Sequence, residues 1–164
     1  MVTPFHGDFS VDYPALERLV EHVTAGGVDY LVVLGTTGEA ATVTATEKHE
    51  ILRFVVSCNN GRLPVVYGLG GNNTAGLLES IGQTDFSGVD AVLSVSPYYN
   101  KPTQRGIIAH YEAIADASPV PVILYNVPGR TASNLTAEST LVLAQHRNII
   151  GVKEASGDMA QGLA

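Results

Sequence analysis

A regular alternation of short apolar runs and amphipathic segments constrains the fold of this chain more than any other feature. Each apolar run is followed by a turn rich in glycine, threonine, proline or asparagine, and then by an amphipathic stretch. The runs cover residues 30–35, 64–70, 90–96, 121–126 and 149–154. They are almost continuously apolar, which is typical of parallel strands covered on both faces. The pattern predicts an α/β protein with a parallel sheet.

The segments between these runs carry the signals of helices. A Thr44/Glu47 capping box opens one of them, and a glycine stop follows the first. One segment is weaker, because Gly76 and Gly82 interrupt it. The predicted helices cover residues 12–27, 44–58, 73–88, 103–117 and 136–146.

The spacing of the strands favours a closed barrel over an open sheet. Successive strands start 26 to 34 residues apart, close to the roughly 31 residues per unit of a (β/α)₈ barrel. A doubly wound sheet shows the same alternation, but "GLGGNN" at 68–73 has Asn73 where the last glycine of a dinucleotide-binding loop should be. We therefore expect an α/β fold of the TIM-barrel type.

About six of the eight barrel units are visible. Residues 1–5 look like the end of a first strand, and residues after 158 look like the start of a sixth helix. The prediction is a single partial TIM-barrel catalytic domain over residues 1–164, incomplete at both ends, whose open edges would be apolar and able to pair.

Composition excludes several classes of partner. Nine basic and sixteen acidic residues give a net charge of −7 without a basic stripe, so nucleic acid and anionic membranes are not expected partners. No apolar stretch approaches the length of a membrane span, and no signal-peptide pattern follows Met1. The one cysteine, Cys58, suits a reducing compartment. We expect a cytoplasmic protein. No cluster in the sequence has metal-ligand spacing, so we expect no metal, and we expect no cofactor.

Polar residues gather at the carboxyl ends of the predicted strands, where barrel enzymes have their active sites. Each has an ordinary alternative: the threonines could cap the next helix, the paired tyrosines could pack, and the arginine of "YNVPGRT" could be a solvated loop residue. Together they indicate a site. They are Thr36, Thr37, Tyr98, Tyr99, Tyr125, Arg130 and Lys153.

Lys153 is the sharpest single signal, since it lies inside the apolar run "IIGVKEA". A lysine at a strand end could simply reach solvent. In a barrel mouth, a neutral amine would attack a ketone and form a Schiff base. That chemistry needs hydroxyl groups to relay protons and donors to bind a substrate carboxylate, and the neighbouring strand ends offer both.

Four stretches resemble the dihydrodipicolinate synthase / N-acetylneuraminate lyase superfamily of pyruvate-dependent class I aldolases. They are "GTTGEAATVTATEKHEIL", "SPYYNKPTQRGIIAHYEAIA", "YNVPGRTASNL" and "IIGVKEASGD". They occur in the order and spacing of the family, and the resemblance runs along essentially the whole chain.

The resemblance implies a role for each matching residue. Lys153 would form the imine with pyruvate, and Tyr125 would relay protons at that imine. Thr37 would hydrogen-bond this tyrosine, and Tyr99 would reach into the site of a neighbouring subunit. Thr36 would hold the pyruvate carboxylate.

Arg130 indicates the branch of the family. Sialic acid lyases usually lack an arginine in the loop after the tyrosine, whereas in the synthase branch this arginine binds the carboxylate of aspartate semialdehyde, a geometry that a guanidinium suits. The implied reaction condenses pyruvate with aspartate semialdehyde to 4-hydroxy-tetrahydrodipicolinate in lysine and diaminopimelate biosynthesis. Two alternatives stay open: another pyruvate-dependent aldolase acting on a sugar acid, and an inactive fragment of the barrel.

The resemblance also bears on assembly and regulation. It implies a homotetramer built from two tight dimers. Many such synthases are inhibited by lysine at a dimer-interface pocket, and the positions of its two histidines and its glutamate hold Ala45, Lys48 and Gly76 here. Without that carboxylate the ammonium group of bound lysine would be unpaired. We therefore expect inhibition by lysine to be weak or absent.

Overall fold

The helices begin where the sequence supplies a side chain that accepts hydrogen bonds from the first turn. Thr44 and Glu47 form the predicted capping box, in which Glu47 N donates to Thr44 Oγ1 at 3.3 Å and Thr44 N donates to Glu47 Oε2 at 2.9 Å. The other four predicted helices also have polar N-caps, which are Asp12, Asn73, Thr103 and Thr136.

The computed structural model describes residues 1–163 and divides into two units. Unit 1 comprises residues 1–68 and 85–90. In it, helices α1 and α2 pack against each other, and strands β1 and β2 are adjacent and parallel, with Leu31 opposite Val65. Its regular elements are α1 (Tyr13–Ala25), β1 (Leu31–Val33), a 3₁₀ turn (Thr36–Gly38), α2 (Ala45–Asn59) and β2 (Val65–Gly68).

Unit 2 comprises residues 69–84 and those from 91 onward. Its three strands form a parallel sheet in the order β3–β4–β5, and α4 packs against α3, α6 and β4. Its elements are α3 (Thr74–Gln83), β3 (Ala91–Val95), α4 (Gln104–Ala117), β4 (Val122–Asn126), α5 (Pro128–Thr131), α6 (Ala137–Leu143), β5 (Ile149–Glu154) and α7 (Met159–Leu163).

Each unit has its own set of fully buried apolar side chains. In unit 1 they come from both helices and both strands, and include Leu16, Val20, Leu31, Val33, Ile51, Val55 and Val65. In unit 2 they include Ile107, Tyr111, Ile114, Leu124, Leu135 and Leu143. In both units the apolar faces of the helices supply much of the core, as the periodicity of the sequence predicted.

Residues 1–5 differ from the prediction, since they do not form a strand. Pro4 has no N–H group to contribute to a strand ladder, and the chain turns back so that Phe5 makes only an isolated antiparallel bridge to Val11. The terminal amine of Met1 donates to Val32 O at 3.0 Å. The described residues therefore contain five strands, not six.

Three further elements differ from the sequence prediction. The helix predicted over 136–146 ends at Leu143. The helix predicted over 73–88 ends at Gln83, because Thr84 is extended. The loop "VPGRT" contains a single helical turn, α5, which Pro128 begins.

Strand β5 is less covered than its apolar sequence suggested. Ile150 is 60% exposed and Val152 is 42% exposed. Within the described residues β5 pairs with β4 on one side only, so the expectation that every strand is covered on both faces is wrong for β5. Among residues 1–163, every helix is either too short or too polar to cross a membrane.

Candidate active site

The parallel pairing of β4 and β5 brings Tyr125 and Lys153 together. The two residues are directly opposite each other in the register, and Lys153 Nζ lies 4.2 Å from the centroid of the Tyr125 ring. This is the geometry of a cation–π contact when the amine is protonated. Tyr125 is buried, whereas Lys153 is exposed. The buried Tyr125 ring therefore packs beneath an amine that solvent can reach.

The loops that follow β3 and β4 are joined by hydrogen bonds. Tyr99 N donates to Thr131 O at 3.3 Å, and Ser133 Oγ donates to Pro97 O at 2.9 Å. Thr131 is buried, and its hydroxyl donates to Ser133 O at 2.7 Å. These bonds hold Tyr99 and the α5 turn at the same end of unit 2 as the Tyr125–Lys153 pair.

Arg130 lies on the α5 turn and is exposed. Its backbone N–H donates to Val127 O at 2.9 Å, so the position of its Cα is fixed by the turn. Among the described residues, its guanidinium makes no ion pair with a carboxylate. The side chain is thus available to an anion from solution.

Tyr99 is presented to solvent by an unusual backbone. Its side chain is 87% exposed, and its φ of 74° is in the left-handed region, which a non-glycine residue rarely adopts. Neighbouring amides hold this loop: Asn72 Nδ2 donates to Tyr98 O at 3.0 Å, and Asn100 Nδ2 donates to Asn72 O at 3.0 Å. A large exposed aromatic ring on a strained backbone indicates a functional constraint.

Thr36 and Thr37 belong to unit 1, where they lie on the 3₁₀ turn after β1 with exposed side chains. Thr3 Oγ1 donates to Gly38 O at 2.7 Å and ties the turn to the start of the chain. Helix α2 is capped by Thr44, so neither residue has the helix-capping role that was the alternative. Their proposed contacts to pyruvate and to Tyr125 stay predictions.

Gly68 explains how β1 can turn immediately before Thr36. A Cβ atom at Gly68 would overlap the carbonyl oxygen of Leu34. Leu34 itself forms the bend, since its φ of 57° is in the left-handed region. Only glycine lets the end of β2 approach this bend so closely.

A polar pair next to Tyr125 and Lys153 was not predicted as part of the site. Neither Asn126 nor Glu154 was among the site residues predicted from the sequence. Asn126 Nδ2 donates to Glu154 Oε2 at 2.9 Å. Burial alone would raise the pKa of Glu154, but hydrogen bonds from Asn126, Ser156 and Gln161 outweigh it and lower that pKa. The available signal was a polar residue directly after each of the two site residues.

Within residues 1–163, no three histidine, cysteine, aspartate or glutamate side chains cluster in a way that could hold a metal ion.

Comparison with known proteins identifies the family. The sequence profile of the dihydrodipicolinate synthetase family matches residues 1–163. The chain belongs to this family. It is 58% identical over 164 residues to the 4-hydroxy-tetrahydrodipicolinate synthase of Flavobacterium psychrophilum, covering 99% of this chain and 56% of that protein. It is 54% identical to the synthase of Cytophaga hutchinsonii, covering 99% of this chain and 55% of that protein.

Solved structures of the synthetase family have the same fold. The dihydrodipicolinate synthase of Bacillus anthracis superposes with a TM-score of 0.95 at 41% identity, covering 99% of this chain and 56% of that one. The chloride-inhibited synthase of Acinetobacter baumannii, complexed with pyruvate, gives a TM-score of 0.95 at 43% identity with the same coverage. The fold is therefore part of a (β/α)₈ barrel, as predicted. The chain spans about half the length of the curated relatives it matches.

Proposed function

We propose that this chain carries the Schiff-base half of an enzyme that condenses pyruvate with aspartate semialdehyde to 4-hydroxy-tetrahydrodipicolinate, in lysine and diaminopimelate biosynthesis. The observation that carries the proposal is the exposed Lys153 amine 4.2 Å from the centroid of the buried Tyr125 ring. The relatives that are named 4-hydroxy-tetrahydrodipicolinate synthase and the pyruvate complex of the Acinetobacter baumannii protein support it.

The first chemical step is imine formation at Lys153. The neutral amine attacks the ketone carbon of pyruvate, and the resulting carbinolamine loses water to give the imine. The ketone oxygen must be protonated before it leaves as water, and a methyl proton must then be removed to give the enamine. Tyr125 is positioned beside the amine and serves as the proton carrier.

The enamine is the carbon nucleophile of the condensation. It attacks the aldehyde carbon of aspartate semialdehyde, and the new carbon–carbon bond restores the imine. The amine of the semialdehyde then attacks the imine carbon, closes the ring and releases Lys153. The reaction balances with loss of one water and needs neither metal nor cofactor.

The remaining site residues bind and orient the substrates in this proposal. Thr36 hydrogen-bonds the pyruvate carboxylate, and Thr37 hydrogen-bonds the Tyr125 hydroxyl. Tyr99 completes the relay in the site of a neighbouring subunit, which its exposure and its held backbone suit. Arg130 binds the carboxylate of aspartate semialdehyde, for which its freedom from ion pairs with described carboxylates makes it available.

The same proposal includes the compartment, the oligomeric state and the partners of the enzyme. It acts in the cytoplasm as a homotetramer of two dimers, without nucleic acid or membrane partners. The net charge of −7 supports the absence of polyanionic partners.

Borohydride trapping tests the proposal. Incubation with pyruvate and borohydride should reduce the imine to a stable secondary amine, so that peptide mass mapping finds one pyruvyl adduct, at Lys153. The Lys153→Ala variant should lose the adduct. The Lys101→Ala variant is the matched control, because Lys101 is an exposed lysine in the same unit, and it should keep the adduct. An adduct that persists in Lys153→Ala, or the absence of any adduct in the unmodified chain, would overturn the proposal.

A further inference from the structure

A polar pair lies one residue beyond Tyr125 and Lys153 and matches them in register. Asn126 is directly opposite Glu154 in the β4–β5 ladder. Successive residues of a strand point to opposite faces of the sheet. The aromatic–amine contact is therefore on one face, and the amide–carboxylate contact is on the other.

The Asn126 side chain is held from several directions. It is fully buried, with 0% exposure. Its Nδ2 donates to Glu154 Oε2 at 2.9 Å and to Asn134 Oδ1 at 2.9 Å, and its Oδ1 accepts from Leu135 N at 3.0 Å. A buried amide with all of these partners has one orientation, because leaving any of its polar groups unpaired is costly.

The Glu154 carboxylate is occupied by partners other than the neighbouring lysine. Its Oε1 accepts from Ser156 N at 2.7 Å, and its Oε2 accepts from Gln161 Nε2 at 3.1 Å. Lys153 makes no ion pair with any described carboxylate. The acidic group that adjoins the amine in sequence is thus turned away from it in space.

The register that aligns these residues is not a regular continuation of the ladder. Val122 is opposite Ile149, but Ile123 is opposite Gly151, so the pairing shifts by one residue between Val122 and Ile123. Without the shift, Tyr125 would be opposite Val152, and Asn126 would be opposite Lys153. A slip of one residue turns side chains to the other face of the strand.

Contacts that form after the shift, at the carboxyl ends of β4 and β5, favour the shifted register. A bulge leaves one residue unpaired and disrupts the ladder locally. The side-chain contacts between Asn126 and Glu154 exist only in the shifted register, as does the bond from Ala155 N to Asn126 O at 2.8 Å. Both lie at the end of the strands where Tyr125 and Lys153 meet.

We propose that Asn126 and Glu154 are a positioning pair, which selects the shifted β4–β5 register and thereby holds the Lys153 amine over the Tyr125 ring. The inferred effect of the pair on imine formation rests on the proposed function. The inferred effect of the pair on the β4–β5 register is independent of that function.

A charge-swap cycle tests the pair. Asn126→Asp places two carboxylates opposite each other, and Glu154→Gln removes the acceptor charge. The double variant Asn126→Asp/Glu154→Gln exchanges the carboxylate and the amide and restores their attraction. Asn148→Ala is the matched control, because Asn148 Nδ2 also donates to several backbone carbonyls of unit 2, including Ala115 O at 2.8 Å, but lies before the register shift.

Two measurements are made on each variant of the chain. One is the rate of pyruvate–borohydride trapping at Lys153, and the other is the hydrogen-exchange protection of the Ala155 amide, which reports the shifted register directly. Each single variant should slow trapping roughly ten- to a hundred-fold, the loss expected from a misplacement of about 1 Å, and should lose the protection at Ala155. The double variant should regain part of both, because a carboxylate at position 126 cannot donate to Asn134 Oδ1 as the amide does, and Asn148→Ala should keep both.

The inference is wrong if both single variants trap pyruvate within about twofold of the unmodified rate. It is also wrong if the double variant regains neither the trapping rate nor the protection of the Ala155 amide. Thermal unfolding of each variant identifies any that has failed to fold. If the unmodified chain traps no pyruvate, the proposed function fails, and exchange at Ala155 alone decides the register. Unchanged protection in both single variants would then overturn the inference, and lost protection that the double variant restores would support it.

Discussion

Arg130 shows how one exposed residue can be ambiguous in the sequence and more informative in the structure. The stretch "YNVPGRT" taken alone is typical of a loop with a solvated arginine. In the structure its backbone is fixed by α5, its side chain is exposed, and it makes no ion pair with a described carboxylate. An arginine whose backbone is held in place and whose guanidinium has no ion-pair partner among the described carboxylates suits a carboxylate ligand.

We predict that Arg130→Ala weakens the use of aspartate semialdehyde but leaves pyruvate imine formation nearly intact. Losing a charge-assisted hydrogen bond costs about 1.5–3 kcal/mol, which is roughly a ten- to hundred-fold fall in kcat/KM for the semialdehyde. Steady-state kinetics and borohydride trapping separate the two effects. Arg105→Ala, which changes an exposed arginine on α4, should alter neither, and an equal collapse of trapping in Arg130→Ala would assign Arg130 a structural role.

The sequence predicted the meeting of Tyr125 and Lys153 but not the pair beside them. The carboxyl ends of parallel strands lie at one edge of a sheet, so two residues that end neighbouring strands must be close. The Asn126–Glu154 contact depends on a one-residue register shift, and no local pattern shows where a ladder shifts. The left-handed backbone of Tyr99 likewise has no glycine to signal it.

At the scale of elements, the strands and helices were predictable because their signals are local. The predicted starts of five helices lie within one residue of the observed starts, and in the structure a polar side chain caps each of them. The ends were harder to predict, since α3 stops at Gln83 and α6 at Leu143, before the predicted ends at 88 and 146. Residues 1–5 resembled a strand in composition, but they form only an isolated bridge. Apolar character alone does not supply a pairing partner.

Packing between helices adds a property that the sequence did not show. His110, on α4, is buried against α3, where its Nδ1 lies 2.8 Å from Thr74 Oγ1. Among the described residues its Nε2 has no hydrogen-bond partner. Burial lowers the pKa of His110 to about 4 from an ordinary value of 6.5. The α3–α4 interface thus holds a neutral imidazole.

We predict that acid weakens the folded chain through His110. The unfolded chain takes up a proton on His110 near pH 6.5, whereas the folded chain takes it up only near pH 4. The free energy of unfolding should therefore fall as the pH is lowered through this interval, by about 3 kcal/mol at most. Urea unfolding at a series of pH values measures the slope. His110→Asn should flatten it, and His22→Asn, which changes an exposed histidine on α1, should not. A slope that His110→Asn leaves unchanged would mean that His110 is not the group that titrates.

At the scale of the whole molecule, the parallel α/β architecture was predicted from periodicity, and the family's solved structures share it. The prediction of one catalytic domain over residues 1–164 stays untested, as do the oligomeric state and the weak response to lysine. Assembly depends on surfaces that meet other chains, and a single sequence does not show which surfaces do so.

The exposed face of β5 is the feature that bears most on the whole molecule. Val152 is 42% exposed and points away from the face that carries Lys153, since successive strand residues alternate. In a (β/α)₈ barrel that outer face is covered by helices. The relatives are nearly twice as long as this chain, so we expect their remaining segment to contribute to this cover.

We predict that fusing the remaining segment of the Flavobacterium psychrophilum synthase to residue 164 stabilises β5 and speeds pyruvate trapping at Lys153. The Val152→Asp change should cost little in the chain alone, where the side chain already meets water. In the fusion it should cost about 2 kcal/mol or more, because a carboxylate would then be buried among apolar groups. Urea unfolding of the four proteins completes the cycle, with Glu138→Gln, at an exposed position on α6, as the neutral control. If Val152→Asp lowers the free energy of unfolding equally in the chain and in the fusion, the added segment does not cover this face of β5.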